Sequence, residues 1–538
     1  MRPIFKISES LGLDTRSILP YGHYKAKIPL DAIRPQKGKL IVVTGISPTP
    51  AGEGKTTTAV GLAQGLGRLG VNVAATLREP ALGPIFGIKG GGTGGGKALV
   101  EPQDEVNIHF TGDAHAVGSA HSLLAGLTDN IAQRGHIEGF EPTGITWRRV
   151  IDVEDRALRS IVTGLGGPGN KPVRESGFDI VTASEVMAIL SLTTGLDDLR
   201  ARLGRIVVGF TKDRKPVTAA DVKAVGSMMS LLRTALLPNL VQTTEGQPVF
   251  IHTGPFGNIA HGCSSVIADQ MALGYADYVL TEAGFGADLG FEKFMHIKVR
   301  SSGINPAGAV LVASVRALKF HGGVPVKELA APNPSAVRDG MANLTHLIGV
   351  VRSFGLPVVV AVNHFPTDTD EEIKIVQAGC TSAGAHSAPV SKVFEKGGEG
   401  ALDLGEALID AVKGEQPTIT YHYAKDATTK EKVLAVAKAV YNANDVRWAP
   451  AAARQLQRFE DLGWGKLPIC VAKTHLSLSH DPKLKGLPSD YTFEVSDVRA
   501  SVGAGFIYPI AGTMMTMPGL PGNPRALDVD AHGNIIGL

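Results

Sequence analysis

The chain has 538 residues, which is enough for roughly three or four domains of ordinary size. Its 53 Lys and Arg residues nearly balance its 51 Asp and Glu residues, which argues against a surface built to bind nucleic acid. No apolar run reaches the roughly 18 residues of a membrane span, and three cysteines are too few for a disulfide framework. With no secretory segment visible at its start, we expect a cytoplasmic protein of several domains.

The first clear pattern is a strand–loop–helix–strand unit near the N-terminus. Residues 40–43 form a short apolar run, as a strand buried in a parallel sheet requires. A loop rich in Gly and Pro follows at residues 45–54, and residues 55–69 carry one apolar stripe at helical spacing. Gly70 ends this helix, and residues 71–75 return to a strand. A crossover of this kind predicts a parallel sheet covered by helices.

The loop of this unit predicts a phosphate site. Its glycines let successive backbone N–H groups face one anion, the helix N-terminus adds partial positive charge, and Lys55 can reach the terminal phosphates. Thr56 carries a hydroxyl suited to Mg²⁺, although Thr49 stands where the usual motif has its first Gly. Because the Gly-Lys-Thr motif lies between a predicted strand and a predicted helix, we favour nucleotide binding over an ordinary Gly-rich turn with a surface Lys. The predicted ATP-binding residues are Thr49, Pro50, Ala51, Gly52, Glu53, Gly54, Lys55 and Thr56.

A second Gly-rich stretch, residues 89–97, competes for the same interpretation. It does not follow a convincing buried strand, and Lys97 lacks a following Ser or Thr. A loop that lets another backbone or a substrate approach closely is at least as good an interpretation.

Further apolar runs alternate with helical patterns along the chain, which is typical of an α/β protein. One helical pattern places Val433 and Val436 on a buried face, with Lys432 and Lys438 expected on the solvent face. Two polar or Gly/Pro-rich regions, residues 164–172 and 413–431, are candidate connections or domain boundaries. The further candidate strands are residues 205–210, 248–251, 278–280 and 357–362.

Several unusual strings, in a fixed order, carry a resemblance to a known family. They are residues 78–91 (REPALGPIFGIKGG), 109–115 (HFTGDAH), 178–188 (FDIVTASEVMA), 255–262 (PFGNIAHG), 282–290 (EAGFGADLG), 363–369 (NHFPTDT) and 396–400 (KGGEG). With these blocks the chain resembles formate–tetrahydrofolate ligase, also called 10-formyltetrahydrofolate synthetase, from about residue 20 to the C-terminus.

The resemblance implies ATP-dependent ligation of formate to tetrahydrofolate. The expected products are 10-formyltetrahydrofolate, ADP and phosphate, with formyl phosphate as the intermediate. The resemblance also implies Mg²⁺ bound with ATP, activation by a monovalent cation such as K⁺ or NH₄⁺, and a homotetramer. The expected partners are therefore small-molecule substrates, with neither nucleic acid nor a membrane.

The fold class predicted from these patterns and the resemblance is α/β, with a P-loop NTPase-like parallel sheet domain and additional α/β domains. Residues 1–360 would form the nucleotide and formyl phosphate domain, with an inserted subdomain near residues 130–245. Residues 361–538 would form the folate-site and C-terminal α/β region.

Lys55 and Arg78 are the predicted catalytic residues. Arg78 ends the second strand of the N-terminal unit, at the edge where ligands bind in open α/β sheets, and its fork can hold a carboxylate and a phosphate oxygen together. The alternative for Arg78 is a surface ion pair with Glu79.

The resemblance places a folate slot at Phe365, Pro366 and Phe394, where many relatives carry Trp at the last position. Phe285 is a further aromatic candidate for packing against bound ligand. The alternative for each Phe is packing in the protein core.

Other polar residues remain candidates without assigned roles, namely Glu79, Asp113 and Asp368. The spacing of His109, Asp113, His115 and His261 matches no structural zinc pattern, so we interpret them as hydrogen-bonded loop residues. A different class of function, a P-loop ATPase switch of the partitioning-protein kind, shares the phosphate loop. Such switches are about half this length and lack a formyl-transfer pocket.

Overall fold

A computed structural model describes residues 1–50, 52–87 and 91–538 of the chain. Ala51 of the predicted phosphate loop and Lys89 of the second Gly-rich stretch lie outside the described residues.

Parallel strands dominate the main sheet, which has 12 strands within the described residues. Their side chains are almost all buried, because helices cover both faces of the sheet. The parallel strands are β1 (Lys39–Gly45), β2 (Val73–Leu77), β3 (Pro248–Ile251), β4 (Tyr278–Glu282), β5 (Pro306–Ala313), β6 (Val358–Asn363) and β7 (Val390–Ser391).

The order of these strands across the sheet is β3, β2, β4, β1, β5, β6, β7. β1 therefore lies centrally, and β4 lies between the two strands of the N-terminal unit. The carboxyl ends of all these strands meet at one edge, where open α/β sheets bind their ligands. The α/β class predicted from the sequence is confirmed.

The sheet becomes antiparallel beyond β3. The strand Asn239–Thr243 pairs antiparallel with β3, and then with Ala26–Lys27 and Ala98–Glu101. The other strands are Leu19–Pro20, Gly94–Gly95, Arg149–Ile151, Ile161–Thr163, Arg174–Ser176, Phe178–Ile180, Val207–Phe210, Pro216–Thr218, Asp445–Trp448, Thr492–Val495, Asp497–Ser501, Phe506–Ile510, Asp528–Val529 and Ile535–Ile536.

The helices fill the connections between strands. The α-helices are Ile4–Leu11, Lys55–Arg68, Leu82–Phe86, Gln103–Asn107, Asp113–Arg134, Glu185–Leu192, Leu196–Gly204, Val225–Leu232, Val266–Leu273, Arg300–Ser302, Val315–His321, Pro334–Ser353, Asp370–Ser382, Val393–Lys396, Leu402–Ala411, Thr429–Ala439 and Pro450–Asp461. Two segments are π-helical, Ala287–Phe291 and Phe294–Val299.

Two hydrophobic cores cover the faces of the parallel sheet, and alternate residues of β1 enter each of them. Ile41 and Val43 pack with the helix Lys55–Arg68 on one face, while Leu40 and Val42 pack on the other. This alternation follows from the opposite directions of successive side chains along a strand.

A further core forms around the helices Asp113–Arg134 and Glu185–Leu192, of which only the second lies wholly inside residues 130–245. Residues from the C-terminal part of the chain, such as Cys470 and Phe506, complete this core. The predicted domain boundary at 360/361 falls inside β6, so the main sheet continues beyond it.

The strand expected at residues 205–210 is present as Val207–Phe210, and it pairs antiparallel with Pro216–Thr218 outside the main sheet. One expectation for a single side chain was wrong. Lys432, expected on a solvent face, is fully buried, and its Nζ donates to the carbonyls of Lys466 (2.8 Å) and Leu467 (3.0 Å).

Among the described residues, no helix combines the length and the apolar composition that crossing a bilayer would require.

Candidate functional site

Hydrogen bonds from two neighbouring strand ends brace the phosphate loop. The carboxylate of Glu53 accepts from the Thr49 backbone N–H (2.9 Å) and from the Ser314 hydroxyl (2.6 Å). The side-chain amide of Asn363 donates to the Glu53 carbonyl at 3.1 Å. Gly54 has φ +73°, and a Cβ there would lie 2.7 Å from the Asn363 amide nitrogen, so the loop requires Gly at this position. The loop shape is thus fixed by contacts with the sheet.

Lys55 begins the helix that follows β1, and its side chain folds back over Gly45, where a Cβ would lie 3.1 Å from Lys55 Cδ. Burial lowers the pKa of Lys55, and the nearby charges of Glu53 and Glu282 oppose that shift. The positive charge of Arg78 lowers the pKa further. Within the described part of the chain, no carboxylate forms an ion pair with the ammonium. A cation in this setting favours an anionic ligand.

Arg78 directly follows β2, as the sequence predicts for a residue at the ligand-binding edge. Its Nε is buried without a hydrogen-bond partner in the described structure. Its terminal nitrogens lie close to Gly284, where a Cβ would be 3.3 Å from each of them. The ion pair with Glu79 considered from the sequence does not form within 4.0 Å. Arg78 and Lys55 therefore present two cations to the same region.

Glu282, the last residue of β4, was not predicted as a site residue. It lines the same cavity as Thr56, and its Oε1 is buried without a partner in the described structure. Burial raises its pKa, whereas the positive charges of Arg78 and Lys55 lower it. Hydroxyl and carboxylate oxygens are the ligands that Mg²⁺ prefers, so Thr56 and Glu282 fit a Mg²⁺ ion held with a nucleotide.

A cavity of about 200 Å³ opens beside these groups. Thr56, Arg78 and Glu282 line one side of it, and the backbone after β3 at residues 254–257 lines another. Its position outside the carboxyl ends of β2, β3 and β4 matches the ligand-binding crevice of open α/β sheets.

A buried charge cluster lies behind Arg78. The Lys27 ammonium donates to both carboxylate oxygens of Asp113, at 2.8 and 2.9 Å, and the Asn239 amide donates to Asp113 at 2.9 Å. Burial and the neighbouring Asp113 carboxyl raise the pKa of Glu79 well above its usual value. The cluster thus favours protonation of Glu79, the residue that directly follows Arg78.

The two predicted slot residues, Phe365 and Phe394, follow neighbouring strands. Asn363 of β6 pairs with Ser391 of β7, and the His364 N–H donates to the Ser391 carbonyl at 3.0 Å. Phe365 is half-buried, while Phe394 is 57% exposed on the short helix that follows β7. An exposed ring of this size at the ligand edge is available to stack on a bound heterocycle.

One face of Phe365 is covered by Arg316, which sequence reasoning did not identify. The Arg316 guanidinium lies 4.1 Å from the Phe365 ring centroid, and its Nε is buried without a partner in the described structure. Pro366 is exposed at the surface. The ring of Phe365 therefore has one face held by a cation.

Phe285 lies apart from the Phe365 and Phe394 pair. It lines the cavity beside Arg78, has φ +59°, and stacks on His475 with ring centroids 4.9 Å apart. Its surroundings suit packing near the phosphate groups of a ligand.

The second Gly-rich stretch approaches Phe394. The Lys97 N–H donates to the Phe394 carbonyl at 2.9 Å, and Gly96 has φ +62°. A Cβ at Gly96 would lie 2.0 Å from that carbonyl oxygen, so only Gly allows this contact. The described part of this stretch thus lets the backbone at Phe394 approach closely. A close approach of another backbone is one of the two interpretations drawn from the sequence.

The histidines considered for metal binding are dispersed. His261 Nε2 lies 2.9 Å from the Ser191 hydroxyl, and His115 Nε2 lies 3.4 Å from the Ser119 hydroxyl. The Asp368 carboxylate accepts from the Phe365 N–H at 2.9 Å. No group of three or more His, Cys, Asp or Glu side chains in the described ranges is arranged to hold a metal ion.

Comparison with known proteins gives consistent matches. A family model described as formate–tetrahydrofolate ligase matches residues 1–538. A Desulforamulus reducens protein named formate–tetrahydrofolate ligase is 51% identical over 552 residues, covering 100% of this chain and 97% of that protein. A protein of the same name from Roseiflexus sp. strain RS-1 is 52% identical over 553 residues, covering 100% and 98% respectively.

One solved structure, described as an FPGS-AMPPCP-folate complex, also matches. It is 13% identical with a TM-score of 0.18, and the match covers 73% of this chain and 49% of that chain. A likeness this low carries no structural argument.

The parallel sheet, the braced loop and the full-length matches define the class as an ATP-dependent ligase. The chain belongs to the formate–tetrahydrofolate ligase family, and its reaction is the ATP-dependent ligation of formate to tetrahydrofolate. The alternative of a partitioning-type ATPase switch is not supported.

Proposed function

We propose that the ligation proceeds through formyl phosphate. An oxygen of formate attacks the γ-phosphorus of ATP, the bond from that phosphorus to the β–γ bridging oxygen breaks, and ADP leaves. N10 of tetrahydrofolate then attacks the formyl carbon, the bond from that carbon to the phosphate oxygen breaks, phosphate leaves, and N10 loses a proton. This route converts the poor oxide leaving group of formate into phosphate, and it requires positioning, charge neutralisation and exclusion of water.

The observation that carries this proposal is the pair of cations formed by Lys55, which begins the helix after β1, and Arg78, which follows β2. Lys55 and Arg78 lie near enough for the charge of one to lower the pKa of the other, and Arg78 Nε is buried without a partner in the described structure. Two such charges suit a transferring phosphoryl group flanked by a second anion. Lys55 would neutralise the phosphoryl group, and the Arg78 fork would hold formate against it.

The remaining loop residues would bind the nucleotide, and Thr56 with Glu282 would hold Mg²⁺. When bound, Mg²⁺ neutralises charge on the β- and γ-phosphates. The unpartnered Oε1 of Glu282 and the Thr56 hydroxyl support this assignment.

The folate ring would stack on Phe365 and Phe394, with Pro366 beside them. Their position two and three residues beyond paired ends of β6 and β7, next to the braced loop, supports a ring site adjoining the phosphate site. Phe285 would pack near the reacting groups instead of in this slot, because it lines the cavity beside Arg78.

Other family properties are proposed on the family match alone. They are a P-loop NTPase-like sheet domain, an inserted subdomain near residues 130–245 and a C-terminal region within 361–538. They also include activation by a monovalent cation, a homotetramer and a cytoplasmic location.

Transfer of labelled oxygen tests the intermediate. With oxygen-labelled formate, ATP and tetrahydrofolate, we expect the label in the released phosphate, because the formate oxygen leaves attached to phosphorus. Mass spectrometry of the phosphate reads this directly. Unlabelled phosphate formed at the full rate of ligation would overturn the route through formyl phosphate.

A further inference from the structure

A second cavity, of about 510 Å³, is larger than the cavity of about 200 Å³ beside Arg78. It lies where the helices Asp113–Arg134 and Glu185–Leu192 meet the helix Pro450–Asp461 and the hairpin formed by Asp497–Ser501 and Phe506–Ile510. Small-molecule pockets commonly have volumes of about 300–1,000 Å³ and occur at junctions of this kind. None of the residues assigned to phosphate transfer lines this cavity.

Aromatic side chains form much of the cavity wall. The ring of His121 stacks on Trp147 with centroids 4.1 Å apart, and burial lowers the pKa of His121 to about 3, so this ring is neutral. Walls of this kind favour a flat ring, because aromatic faces stack with little ordering cost. The aromatic lining consists of Trp147, Phe210, Phe459, Trp464, Phe506 and Tyr508.

A cation stands at the hairpin side of the cavity. Arg499 Nε donates to Asp497 at 3.2 Å, and the charge of the same guanidinium lowers the pKa of Tyr508 against the larger raising effect of burial. The contact with Asp497 orients the guanidinium and leaves further N–H groups, and 53% of the Arg499 side chain is exposed. A planar fork of this type matches a carboxylate. The other arginine of the cavity, Arg148, is already paired with Asp179 at 3.1 Å.

A single carboxyl group lies further along the same hairpin wall. Glu185 Oε1 accepts from the Gly503 and Ala504 N–H groups at 2.7 and 3.2 Å. Both hydrogen bonds to the Glu185 carboxyl in the described structure are made to Oε1, so Oε2 is available to a ligand. Arg499 and Gly503 are four residues apart, so at most about 13 Å of extended chain separates them. Burial raises the pKa of Glu185 to about 7, so this carboxyl can accept or donate near neutral pH.

We propose that this cavity binds a flat aromatic carboxylic acid that carries an amino or hydroxyl group on the ring edge opposite the carboxylate. The ring lies against the aromatic wall, the carboxylate on Arg499, and the ring substituent on Glu185 Oε2. The ligand of this class is a free aminobenzoic or hydroxybenzoic acid. The proposal does not depend on the roles assigned to Lys55, Arg78 or Phe365.

A thin wall separates the new site from the reaction cavity, which is the cavity beside Arg78. Thr182 and Phe256 line the smaller cavity, whereas Ala183, Ser184 and Ala260 line the larger one. The Phe256 N–H donates to the Thr182 carbonyl at 2.8 Å, which joins the two segments of the wall.

Calorimetric titration of the full-length protein with 4-aminobenzoate tests the proposal. We expect saturable binding, weakened about tenfold or more in Arg499→Gln and Glu185→Gln, because each loses a charge-assisted contact. Arg447→Gln is the matched control, since Arg447 pairs with Glu494 outside this cavity. Circular dichroism and catalytic turnover should be the same in all three variants as in the parent.

Competition separates this cavity from the folate site. Simultaneous binding of 4-aminobenzoate and tetrahydrofolate supports a separate aryl acid site, and displacement of 4-aminobenzoate by tetrahydrofolate overturns the proposal. Absence of saturable binding to the parent, or equal affinities for the Arg499, Glu185 and Arg447 variants, overturns it.

Discussion

The side-chain amide of Asn363 donates a hydrogen bond to the backbone carbonyl of Glu53 at 3.1 Å. The contact joins the end of β6 to the phosphate loop across 310 positions of sequence. With the Glu53 carboxylate bound to Thr49 and Ser314, it holds the loop in one shape before any nucleotide arrives. Donors fixed in place in this way need no reorganisation during the reaction.

Replacement of Glu53 tests this bracing. Glu53→Ala should raise the KM for ATP about tenfold or more, because hydrogen bonds to a charged buried group each contribute about 1.5–3 kcal/mol. Ser314→Ala removes one contact without changing the charge near Lys55, so its effect should be smaller but in the same direction. Steady-state kinetics at varied ATP measures both. An unchanged KM in both variants would show that the loop needs no bracing.

Removal of the Lys55 ammonium should nearly abolish activity. By analogy with other single charge-stabilising groups, Lys55→Ala should lose about 10²–10³-fold in kcat. The exposed Lys6 provides a control, and Lys6→Ala should have parental kinetics. Turnover is measured at saturating ATP, with circular dichroism to confirm folding. Near-normal turnover of Lys55→Ala would refute the phosphate-loop assignment.

The planar guanidinium of Arg78, and not its charge alone, should be needed for the formation of formyl phosphate. Arg78→Lys keeps the charge but loses the bidentate geometry, so ATP synthesis from formyl phosphate and ADP should fall strongly. ATP affinity should stay nearly unchanged, because Lys55 and the loop amides hold the nucleotide. The exposed Arg16, changed to Lys, is the control.

The outcome for Arg78 is decided by comparing two measurements. ATP synthesis at close to the parental rate in Arg78→Lys means that charge alone suffices. A collapse of nucleotide affinity instead would place Arg78 in the ATP site proper, and another group would then hold formate.

The aromatic slot should discriminate between substrates. Phe365→Ala and Phe394→Ala should each raise the KM for tetrahydrofolate tenfold or more, since stacking of a base-like ring contributes about 1–3 kcal/mol. The KM for formate should change little. Phe5→Ala, at a residue 43% exposed on the N-terminal helix, is the control. If the KM for ATP changes and that for tetrahydrofolate does not, the slot binds adenine alone.

Glu185 should give the stability of the protein a defined pH dependence. Burial raises its pKa from an ordinary value of 4.5 to about 7, so the folded state binds a proton that the unfolded state releases. The contribution of Glu185 to the free energy of unfolding is therefore fully present below pH 4.5 and is lost as the pH rises through about 7. The stability of the parent relative to Glu185→Gln, measured by urea unfolding, should fall across this range. If the difference in free energy of unfolding between the parent and Glu185→Gln did not change with pH, it would contradict the raised pKa of Glu185.

Local patterns predicted the elements around the phosphate loop. The apolar run, the Gly-rich loop and the helical stripe specify β1, the loop and the helix Lys55–Arg68 within a short stretch of chain. The position of Arg78 followed from the same unit, because it needs only the end of the second strand. Glu282 could have been found by the same rule, since it follows the apolar run at residues 278–280.

Long-range contacts were beyond prediction from local patterns. A Lys on an amphipathic helix is ordinarily exposed, and nothing near Lys432 indicates that two carbonyls 34 and 35 positions away would accept from it. The strand Val207–Phe210 has the composition of a buried parallel strand, but its pairing depends on Pro216–Thr218. The stacking of Arg316 on Phe365 likewise joins a residue of the helix Val315–His321 to a residue that follows β6.

The thin wall between the two cavities offers a route for chemical inhibition. Thr182 faces the reaction cavity, and its neighbour Ala183 faces the larger one, with small side chains at Ala183 and Ala260. A compound anchored on the aromatic wall could therefore extend a substituent toward Arg78 without occupying the nucleotide loop or the ring slot. Its potency would not fall as the tetrahydrofolate concentration rises, which distinguishes it from a folate mimic.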